Sequence, residues 1–282
     1  MPTQGRLRSD PQNLLQLALA KGWSENAAAP SLSEHVVLIT GAGRGLGAAI
    51  ARAAAREGAR VVVNYRRSAD TAAALAAELG DRAVAVEADV TDPGAVQAMI
   101  DAATTHFGTP ITAVVNNALP DYSFNGDARS TADTITTAEL DAQFRGIVGG
   151  ALTVVQATLP GMREAGTGRI VNIGTNLVQN PVVPYHDYTA AKAALLALTR
   201  TLAADLGPDN ITVNMVSGGL LRTTDASAAT PPEIFDAIAA STPLRSVTTP
   251  EEFADATLFF LSPWSRAVTG QNLVVDGGLV KD

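Results

Sequence analysis

The chain has 282 residues, enough for one large domain with a sizeable hydrophobic core. It has 0 Cys, which excludes disulfides, cysteine-ligated zinc and a thiol nucleophile, and its 3 His are far apart in the sequence, so no metal site is expected. The formal net charge of −8 argues against a general affinity for nucleic acid or for an anionic membrane surface.

The apolar residues do not form the patterns of membrane or secreted proteins. No run of about 18 apolar residues predicts a membrane span. The first residues also lack the long apolar core that is typical of a secretory signal. We therefore expect a cytoplasmic protein that does not associate with membranes.

Residues 1–34 are richer in Pro, Ser and Gln than the chain that follows. The apolar pattern from Leu14 to Leu19 predicts one short helix, and the pair Asp10-Pro11 indicates its start. We interpret this N-terminal extension as an arm that packs on its own or on a neighbouring subunit. A targeting role is the alternative, but the Arg-rich and acid-poor pattern of a transit peptide is faint.

Strand and helix patterns alternate from residue 35 to the end of the chain. Short apolar runs predict strands at 36–39, 60–63, 83–87, 113–116, 169–173, 212–216 and 272–276. Helical patterns fall between them at 48–57, 68–79, 93–107, 138–162, 188–206 and 250–261. This alternation predicts an α/β fold: a single doubly wound Rossmann domain over 35–282, with a mostly parallel seven-stranded sheet and helices on both faces.

Three glycines, Gly41, Gly45 and Gly47, separate the first predicted strand from the first predicted helix. Glycine allows a tight turn and a close approach of the backbone to a ligand. A helix that begins here directs its unpaired N–H groups and the positive end of its dipole at the turn, which favours a bound pyrophosphate. A purely structural turn is the alternative, because glycine patterns also end strands without a ligand.

The end of the second predicted strand indicates which dinucleotide binds. An acidic residue there would hydrogen-bond the adenine ribose and repel a 2′-phosphate, but the sequence has Asn64 followed by Tyr65, Arg66 and Arg67. Guanidinium groups suit a phosphate dianion, and Arg44 in the glycine turn would add a third. We therefore expect NADPH rather than NADH, with a solvated pair of surface arginines as the alternative.

Tyr188 and Lys192 are four residues apart in a predicted helix, so their side chains lie on one face. A nearby ammonium favours the phenolate and would lower the tyrosine pKa from about 10 toward neutral pH. By itself, such a pair is more often an ordinary pair on a helix surface. Its place in the chain, after the glycine turn and after the NNA stretch at 116–118, favours a catalytic interpretation.

Four stretches in order resemble the motifs of the short-chain dehydrogenase/reductase family, most closely those of the 3-oxoacyl-acyl-carrier-protein reductases. They are TGAGRGLG at 40–47, NNA at 116–118, YTAAK at 188–192 and TGQNLVVDGG at 269–278. The resemblance extends from residue 35 to the end. It implies an enzyme that transfers hydride from NADPH to the carbonyl carbon of a 3-oxoacyl thioester, carried on acyl carrier protein, or of a similar small ketone. It also implies a homo-oligomer, either a tetramer or a dimer.

The resemblance assigns roles to individual residues. Tyr188 would protonate the carbonyl oxygen, Lys192 would bind the nicotinamide ribose, and Thr175, which stands where the family has serine, would orient the carbonyl through its hydroxyl. Asp89 and Val90 would lie against the adenine. The full set of expected cofactor contacts is Gly41, Arg44, Gly45, Leu46, Gly47, Asn64, Tyr65, Arg66, Arg67, Asp89, Val90, Asn116, Ala118, Tyr188, Lys192, Gly219, Leu221 and Thr223.

Three departures from the family pattern lie near the expected reacting centre. Leu119 replaces the glycine after NNA, Ile147 replaces an asparagine that helps to hold a proton-relay water, and Gly218 replaces a proline after the sixth strand. A bulky residue at 119 would point toward the active site. The departures indicate an atypical branch whose proton relay depends on other groups.

Residues 220–245 break the alternation with a Thr-, Ser-, Ala- and Pro-rich stretch around a short helix near 232–240. A long insertion after the carboxyl end of a strand predicts a substrate lid, and surface decoration is the alternative. Two other functions also remain open. One is a cofactor-binding regulatory or scaffold protein on a degenerate fold, and the other is an NADPH-dependent reductase of imines or unsaturated carbonyls.

Overall fold

The computed structural model describes residues 31–120, 122, 124, 128–224, 227–228 and 230–281. Most of the predicted N-terminal arm, with its short helix, therefore lies outside the described residues. The described part of that arm holds a single 3₁₀ turn, Leu32–Glu34, which leads directly into the first strand.

Seven strands form one sheet in the order β3-β2-β1-β4-β5-β6-β7, and every pairing is parallel. The strands are β1 Val36–Ile39, β2 Arg60–Tyr65, β3 Ala83–Glu87, β4 Ala113–Asn116, β5 Gly168–Thr175, β6 Ile211–Gly218 and β7 Asn272–Val275. Their central runs are apolar and rich in valine because a parallel sheet is covered on both faces. The strand order reverses between β1 and β4, and open α/β sheets bind ligands at the carboxyl ends of the strands at such a point.

The helices occupy the connections between the strands. They are α1 Gly45–Arg56, α2 Ala69–Leu79, α3 Pro93–Phe107, α4 Thr137–Gln143, α5 Gly150–Ala165, α6 His186–Leu206, α7 Pro232–Ser241 and α8 Pro250–Leu261. The prediction of a doubly wound Rossmann domain with a seven-stranded sheet is confirmed. Most observed boundaries fall within three residues of the predicted ones, since apolar periodicity fixes the presence of an element better than its ends.

Two apolar layers hold the helices on the sheet. On one face, Ile50 of α1 and Phe253 of α8 are fully buried in the same cluster as the strands. On the other face, Met99 of α3 and Met162 of α5 are equally buried. Burying one such side chain contributes about 1.5–3 kcal/mol, so the two layers fix the sheet that positions the site.

The predicted helix over 138–162 is not continuous. A π-helical turn, Phe144–Gly149, separates α4 from α5. Two glycines at this break allow close packing, because a Cβ on Gly146 would lie 2.6 Å from Cγ of Pro120 and one on Gly150 would lie 2.7 Å from Cγ2 of Val90. π-Helical turns are frequent at functional sites, and this one presses against the carboxyl edge of the sheet.

Candidate active site

The turn between β1 and α1 forms a cradle that requires glycine. Gly41 and Gly45 have φ angles of +63° and +54°, in the left-handed region where a side chain is strained. A Cβ on Gly47 would lie 2.5 Å from the carbonyl oxygen of Gly41. Helix α1 begins at Gly45, so its unpaired N–H groups lie at this turn, and Leu46 packs beside it against the core. The turn therefore fits the pyrophosphate of a dinucleotide, as the glycine spacing predicts.

The glycine turn is tied to the end of β4 by hydrogen bonds that the sequence interpretation did not include. The hydroxyl of Thr40 accepts from the N–H groups of Asn117 and Ala118, both at 2.9 Å. The side-chain amide of Asn117 donates to the carbonyl of Thr40 at 2.9 Å. The NNA stretch therefore helps to hold the cradle in shape.

The side chain of Asn64, which we expect at the adenine ribose, is hydrogen-bonded inside the protein. It is 1% exposed, its Oδ1 accepts from the N–H of Gly41 at 3.1 Å, and its Nδ2 donates to the carbonyl of Ala88 at 3.1 Å. A buried amide must find such partners, because an unpaired polar group in the interior is costly. Its side chain therefore supports the glycine turn and joins it to the loop after β3.

Cationic side chains follow β2 and precede α1 at the carboxyl edge. Arg66 and Arg67 come directly after β2, whose last residue is Tyr65, and Arg44 comes directly before α1. Nη1 of Arg66 lies 3.4 Å from Oδ2 of Asp89, which follows β3, and both side chains are 36% exposed. An ion pair so open to solvent contributes little to stability. Its position beside the glycine turn suits contact with a ligand.

Tyr188, Thr175 and Lys192 meet between β5 and α6, and all three are buried. Strand β5 ends at Thr175, and its hydroxyl lies near enough to Tyr188, in the first turn of α6, to influence the tyrosine pKa. Nζ of Lys192 donates to the carbonyl oxygen of Ile173 at 2.5 Å and lies 5.7 Å from the centre of the Tyr188 ring. The structure therefore brings the three predicted catalytic residues together.

Burial governs the ionisation of this group. Desolvation raises the pKa of Tyr188 to about 12, and the nearby Thr175 hydroxyl opposes the shift only in part. Desolvation also lowers the pKa of Lys192 to about 8. The expected lowering of the tyrosine pKa by Lys192 is therefore wrong for this structure, because the ammonium is turned toward Ile173. A tyrosine with this raised pKa is fully protonated at neutral pH, the state that a proton donor needs.

A small cavity of about 10 Å³ lies beside Lys192, between the π-helical turn and the end of β4. Ile147, the residue that replaces the family asparagine, lines it together with Lys192 and Asn116. The amide nitrogen of Asn116 donates to Asn172 at 2.8 Å, and its buried Oδ1 has no hydrogen-bond partner among the described residues. A cavity of this size holds about one water molecule. The side chain of Asn116 is therefore turned into the sheet and this cavity.

The segment after β6 lies next to Thr175. A Cβ on Gly219 would lie 2.9 Å from the amide nitrogen of Asn176, the residue after Thr175, and this nitrogen donates to Asp276 at 2.9 Å. The C-terminal motif therefore reaches the catalytic group through an amide–carboxylate contact that the sequence interpretation missed. Farther along the segment, Leu221 packs against the core, whereas Thr223 is exposed.

The substrate side of Tyr188 is lined by aromatic rings that the sequence interpretation also missed. Tyr122 stacks on the Tyr188 ring at 5.3 Å between centres, and Phe124 meets its edge at 5.3 Å. Leu119 packs against the same cluster, as expected for a bulky residue in that place. No spacing pattern connects Tyr122 with Tyr188, so only the folded chain could reveal this contact.

The comparisons with known proteins agree with this geometry. The family described as enoyl-(acyl carrier protein) reductase matches residues 41–280, from the glycine turn through the C-terminal motif. This match covers most of the chain. The chain belongs to the short-chain dehydrogenase/reductase family. Members of this family are oxidoreductases that use a nicotinamide cofactor, and the cradle between β1 and α1 fits that cofactor.

Individual relatives of this short-chain dehydrogenase/reductase chain are about one-third identical over most of its length. Versicolorin reductase of Emericella nidulans is 33% identical over 262 residues, which cover 88% of the chain and 96% of the relative. A protein of Mycobacterium tuberculosis named 3-alpha-(or 20-beta)-hydroxysteroid dehydrogenase is 36% identical over 245 residues, covering 87% and 89%. A chloroplastic NADPH-dependent aldehyde reductase-like protein of Arabidopsis thaliana is 30% identical over 264 residues, covering 88% and 95%.

No group of three or more His, Cys, Asp or Glu residues in the described part of the chain could hold a metal ion. Within the same residues, no helix is both long and apolar enough to cross a membrane.

Proposed function

We propose that this protein reduces a ketone to an alcohol with NADPH, and that Tyr188 is the proton donor. The observation that carries the proposal is the burial of Tyr188, Thr175 and Lys192 together between β5 and α6, close to the glycine turn. A scaffold protein on the same fold would have no need of this arrangement, so the geometry favours an enzyme.

Thr175, Tyr188 and Lys192 have different roles in the proposed reaction. When bound, the nicotinamide supplies the hydride for the carbonyl carbon. The hydroxyls of Thr175 and Tyr188 donate hydrogen bonds to the carbonyl oxygen, and they stabilise the negative charge that develops there. Tyr188 then transfers its proton to this oxygen, which completes the alcohol. Lys192 would hold the nicotinamide ribose beside this tyrosine.

The Tyr188 proton must be replaced after each turnover, and the cavity beside Lys192 offers a way without the family asparagine. A water molecule there would accept a hydrogen bond from Nζ of Lys192 and donate one to Oδ1 of Asn116. Both groups line the cavity, and a buried water needs two or more polar partners. In this proposal, Asn116 holds the relay water, a role that the apolar side chain of Ile147 cannot fill.

We propose NADPH rather than NADH from the charges at the carboxyl edge of the sheet. Arg66 and Arg67 follow β2 and Arg44 precedes α1 at the carboxyl edge, where we place the adenine ribose, and Asn64 at the end of β2 carries no negative charge. A phosphate dianion at that place would gain charge-assisted hydrogen bonds from these guanidinium groups. The Arabidopsis relative is named as an NADPH-dependent protein, which supports the same choice.

The proposed substrates are small ketones, including 3-oxoacyl thioesters free or on acyl carrier protein. The relatives are named for versicolorin and for hydroxysteroids, and these names support a ketone or its alcohol as the reacting group. The stretch 220–245, which contains α7, is proposed as the lid over this group. We also propose a homo-oligomer, a tetramer or a dimer, in the cytoplasm.

A substrate panel tests the proposal. Purified protein is supplied with NADPH or NADH and with a linear ketone, a cyclic ketone, an acetoacetyl thioester, an imine or an enone, and cofactor oxidation is followed by absorbance. We expect ketones to be reduced faster with NADPH than with NADH. Turnover of only the imine or the enone would replace the proposal with those activities, and tight cofactor binding without any turnover would favour a regulatory protein.

A further inference from the structure

Tyr188 is 8% exposed, and two other aromatic rings cover it. The ring of Tyr122 lies at 29° to that of Tyr188, which is a stacked arrangement, and Phe124 meets the Tyr188 ring edge-on at 84°. The centres of Tyr122 and Phe124 are 4.9 Å apart. A ligand that approaches the face of the Tyr188 ring therefore meets this pair of rings.

The position of Tyr122 is fixed by charged neighbours. Its hydroxyl donates to Oδ1 of Asp187 at 3.2 Å, and the guanidinium of Arg129 lies 4.1 Å from its ring centre. Nη2 of Arg129 donates to Oδ2 of the same Asp187 at 2.6 Å, and the two charged side chains are 17% and 4% exposed. Both charges of this buried pair are engaged with each other and with Tyr122. Asp187 directly precedes Tyr188, so the pair links the ring to the catalytic residue.

The remaining surface of this cluster is apolar. Tyr185 meets both Tyr122 and Phe124 edge-on, with 5.8 Å between ring centres in each case. Leu119 and Val183 pack against the cluster. The cations beside it are Arg129, which is held by Asp187, and Lys192, which is held by the carbonyl of Ile173. The surface therefore offers ring faces rather than charge to a substrate.

We propose that Tyr122 and Phe124 form a stacking wall and that the wall selects ketones with a flat aromatic ring next to the carbonyl-bearing ring. The inference rests on the proposed ketone reductase function and names its substrate class. A ligand that enters here separates rings that pack on one another. A planar aromatic ligand replaces each lost ring contact with an equivalent one, whereas a puckered aliphatic ligand makes a poorer contact with both faces.

Two bicyclic ketones test the selection: 2-tetralone, which carries a fused benzene ring, and 2-decalone, its saturated counterpart. Neither carbonyl is conjugated, so the two have similar intrinsic reactivity, and they differ mainly in flatness. We expect kcat/KM of the unaltered protein to be at least about tenfold higher for 2-tetralone, the effect of two ring contacts. Most of this difference should be in KM, because the wall contacts the ring and not the reacting atoms.

Substitutions in the stacking wall test whether it causes the preference for 2-tetralone over 2-decalone. Tyr122→Leu and Phe124→Leu should each lower kcat/KM for 2-tetralone roughly three- to tenfold, and should change that for 2-decalone less than about twofold. Arg129→Met should act like Tyr122→Leu by releasing the ring, and its thermal unfolding shows whether the fold survives. Arg163→Met removes a 2.7 Å ion pair with Asp209 on the surface and is the matched control.

The outcomes separate this inference from the proposed function. Equal turnover of both ketones, or an equal loss for both in the Tyr122 and Phe124 variants, would overturn the stacking wall and leave the ketone reductase intact. Faster reduction of an acetoacetyl thioester than of 2-tetralone would also overturn the stacking wall and leave the ketone reductase intact. If no ketone of any kind is reduced with either cofactor, the proposed function itself fails.

Discussion

The ammonium of Lys192 is hydrogen-bonded to the backbone oxygen of Ile173, two residues before Thr175 on the same strand. This bond joins α6 to β5, so the helix that carries Tyr188 and the strand that carries Thr175 are held in one register. The 5.7 Å between the ammonium and the Tyr188 ring centre leaves the two in electrostatic reach. The catalytic group is therefore built on the packing of one helix against one strand.

Replacing Tyr188 with phenylalanine should abolish proton donation and keep the ring contacts with Tyr122. We expect kcat for ketone reduction to fall by about 10²–10⁴-fold, the usual contribution of a general acid. The dissociation constant for NADPH, measured by fluorescence, should change less than about threefold. A variant that reduces ketones at the original rate would refute the assigned role.

Thr175 offers a test of whether its hydroxyl or its shape matters. Thr175→Val keeps the shape but removes the donor, so kcat should fall roughly 10²-fold, as for loss of one donor to a developing oxyanion. Thr175→Ser keeps the hydroxyl and should stay within a few-fold of the original rate. Thr158→Val, at an equally buried threonine on α5, controls for the loss of a buried hydroxyl. Equal activity of the valine and serine variants would contradict the role.

The arginines after β2 should discriminate between the two nicotinamide cofactors. Replacing both Arg66 and Arg67 with alanine should weaken NADPH binding about 10- to 100-fold, because a hydrogen bond to a charged group contributes about 1.5–3 kcal/mol. NADH binding should weaken less than about threefold. Arg52→Ala, which breaks a surface pair with Glu78, is the control. Equal weakening of both cofactors, measured by titration calorimetry, would disprove a phosphate contact.

Gly47→Ala should damage the cradle itself. Its Cβ would lie 2.5 Å from the carbonyl oxygen of Gly41 and 2.7 Å from the amide nitrogen of Asn117, so we expect about 1–3 kcal/mol of destabilisation in urea unfolding. Binding of NADPH and NADH should weaken together, because the pyrophosphate is common to both. Gly207→Ala, where a Cβ meets nothing within 4 Å, should be neutral within about 0.5 kcal/mol. Unchanged stability and cofactor binding in the Gly47→Ala variant would contradict the close packing of Gly47 against Gly41 and Asn117.

His35, at the opposite end of the sheet, should make stability depend on pH. Desolvation, with repulsion from Arg169, lowers its pKa from 6.5 to about 4. Below pH 6.5 the unfolded chain binds a proton that the folded chain excludes, so stability is present above pH 6.5 and falls as the pH drops to about 4. The free energy of unfolding falls by about 3 kcal/mol over this pH range.

The matched variants isolate this histidine. In His35→Gln, the unfolding free energy measured between pH 7 and pH 4 should change less steeply than in the unaltered protein, because glutamine does not titrate. His106→Gln, at an exposed position, should leave the slope unchanged. If both variants keep the original slope, the buried His35 is not its source.

The sequence by itself determined the order of elements, the single α/β domain and the candidate catalytic set Tyr188, Lys192 and Thr175. Local periodicity, glycine spacing and the i, i+4 relation carry that information, because each depends on residues close together in the chain. The bounds of β1, β3, β4, α3 and α8 follow from it directly. The break between α4 and α5 could not be predicted in this way, because a π-helical turn depends on the residues that pack against it.

The tertiary structure decided which way side chains point and what they meet. It turned Asn64 and Asn116 into the interior, where buried amides must pair, although their sequence positions resemble contacts to a cofactor. It also raised the pKa of Tyr188, because burial outweighed the opposing effect of the Thr175 hydroxyl. The Asp187–Arg129 pair and the stacking of Tyr122 on Tyr188 join residues more than 50 positions apart, and such contacts exist only once the chain is folded.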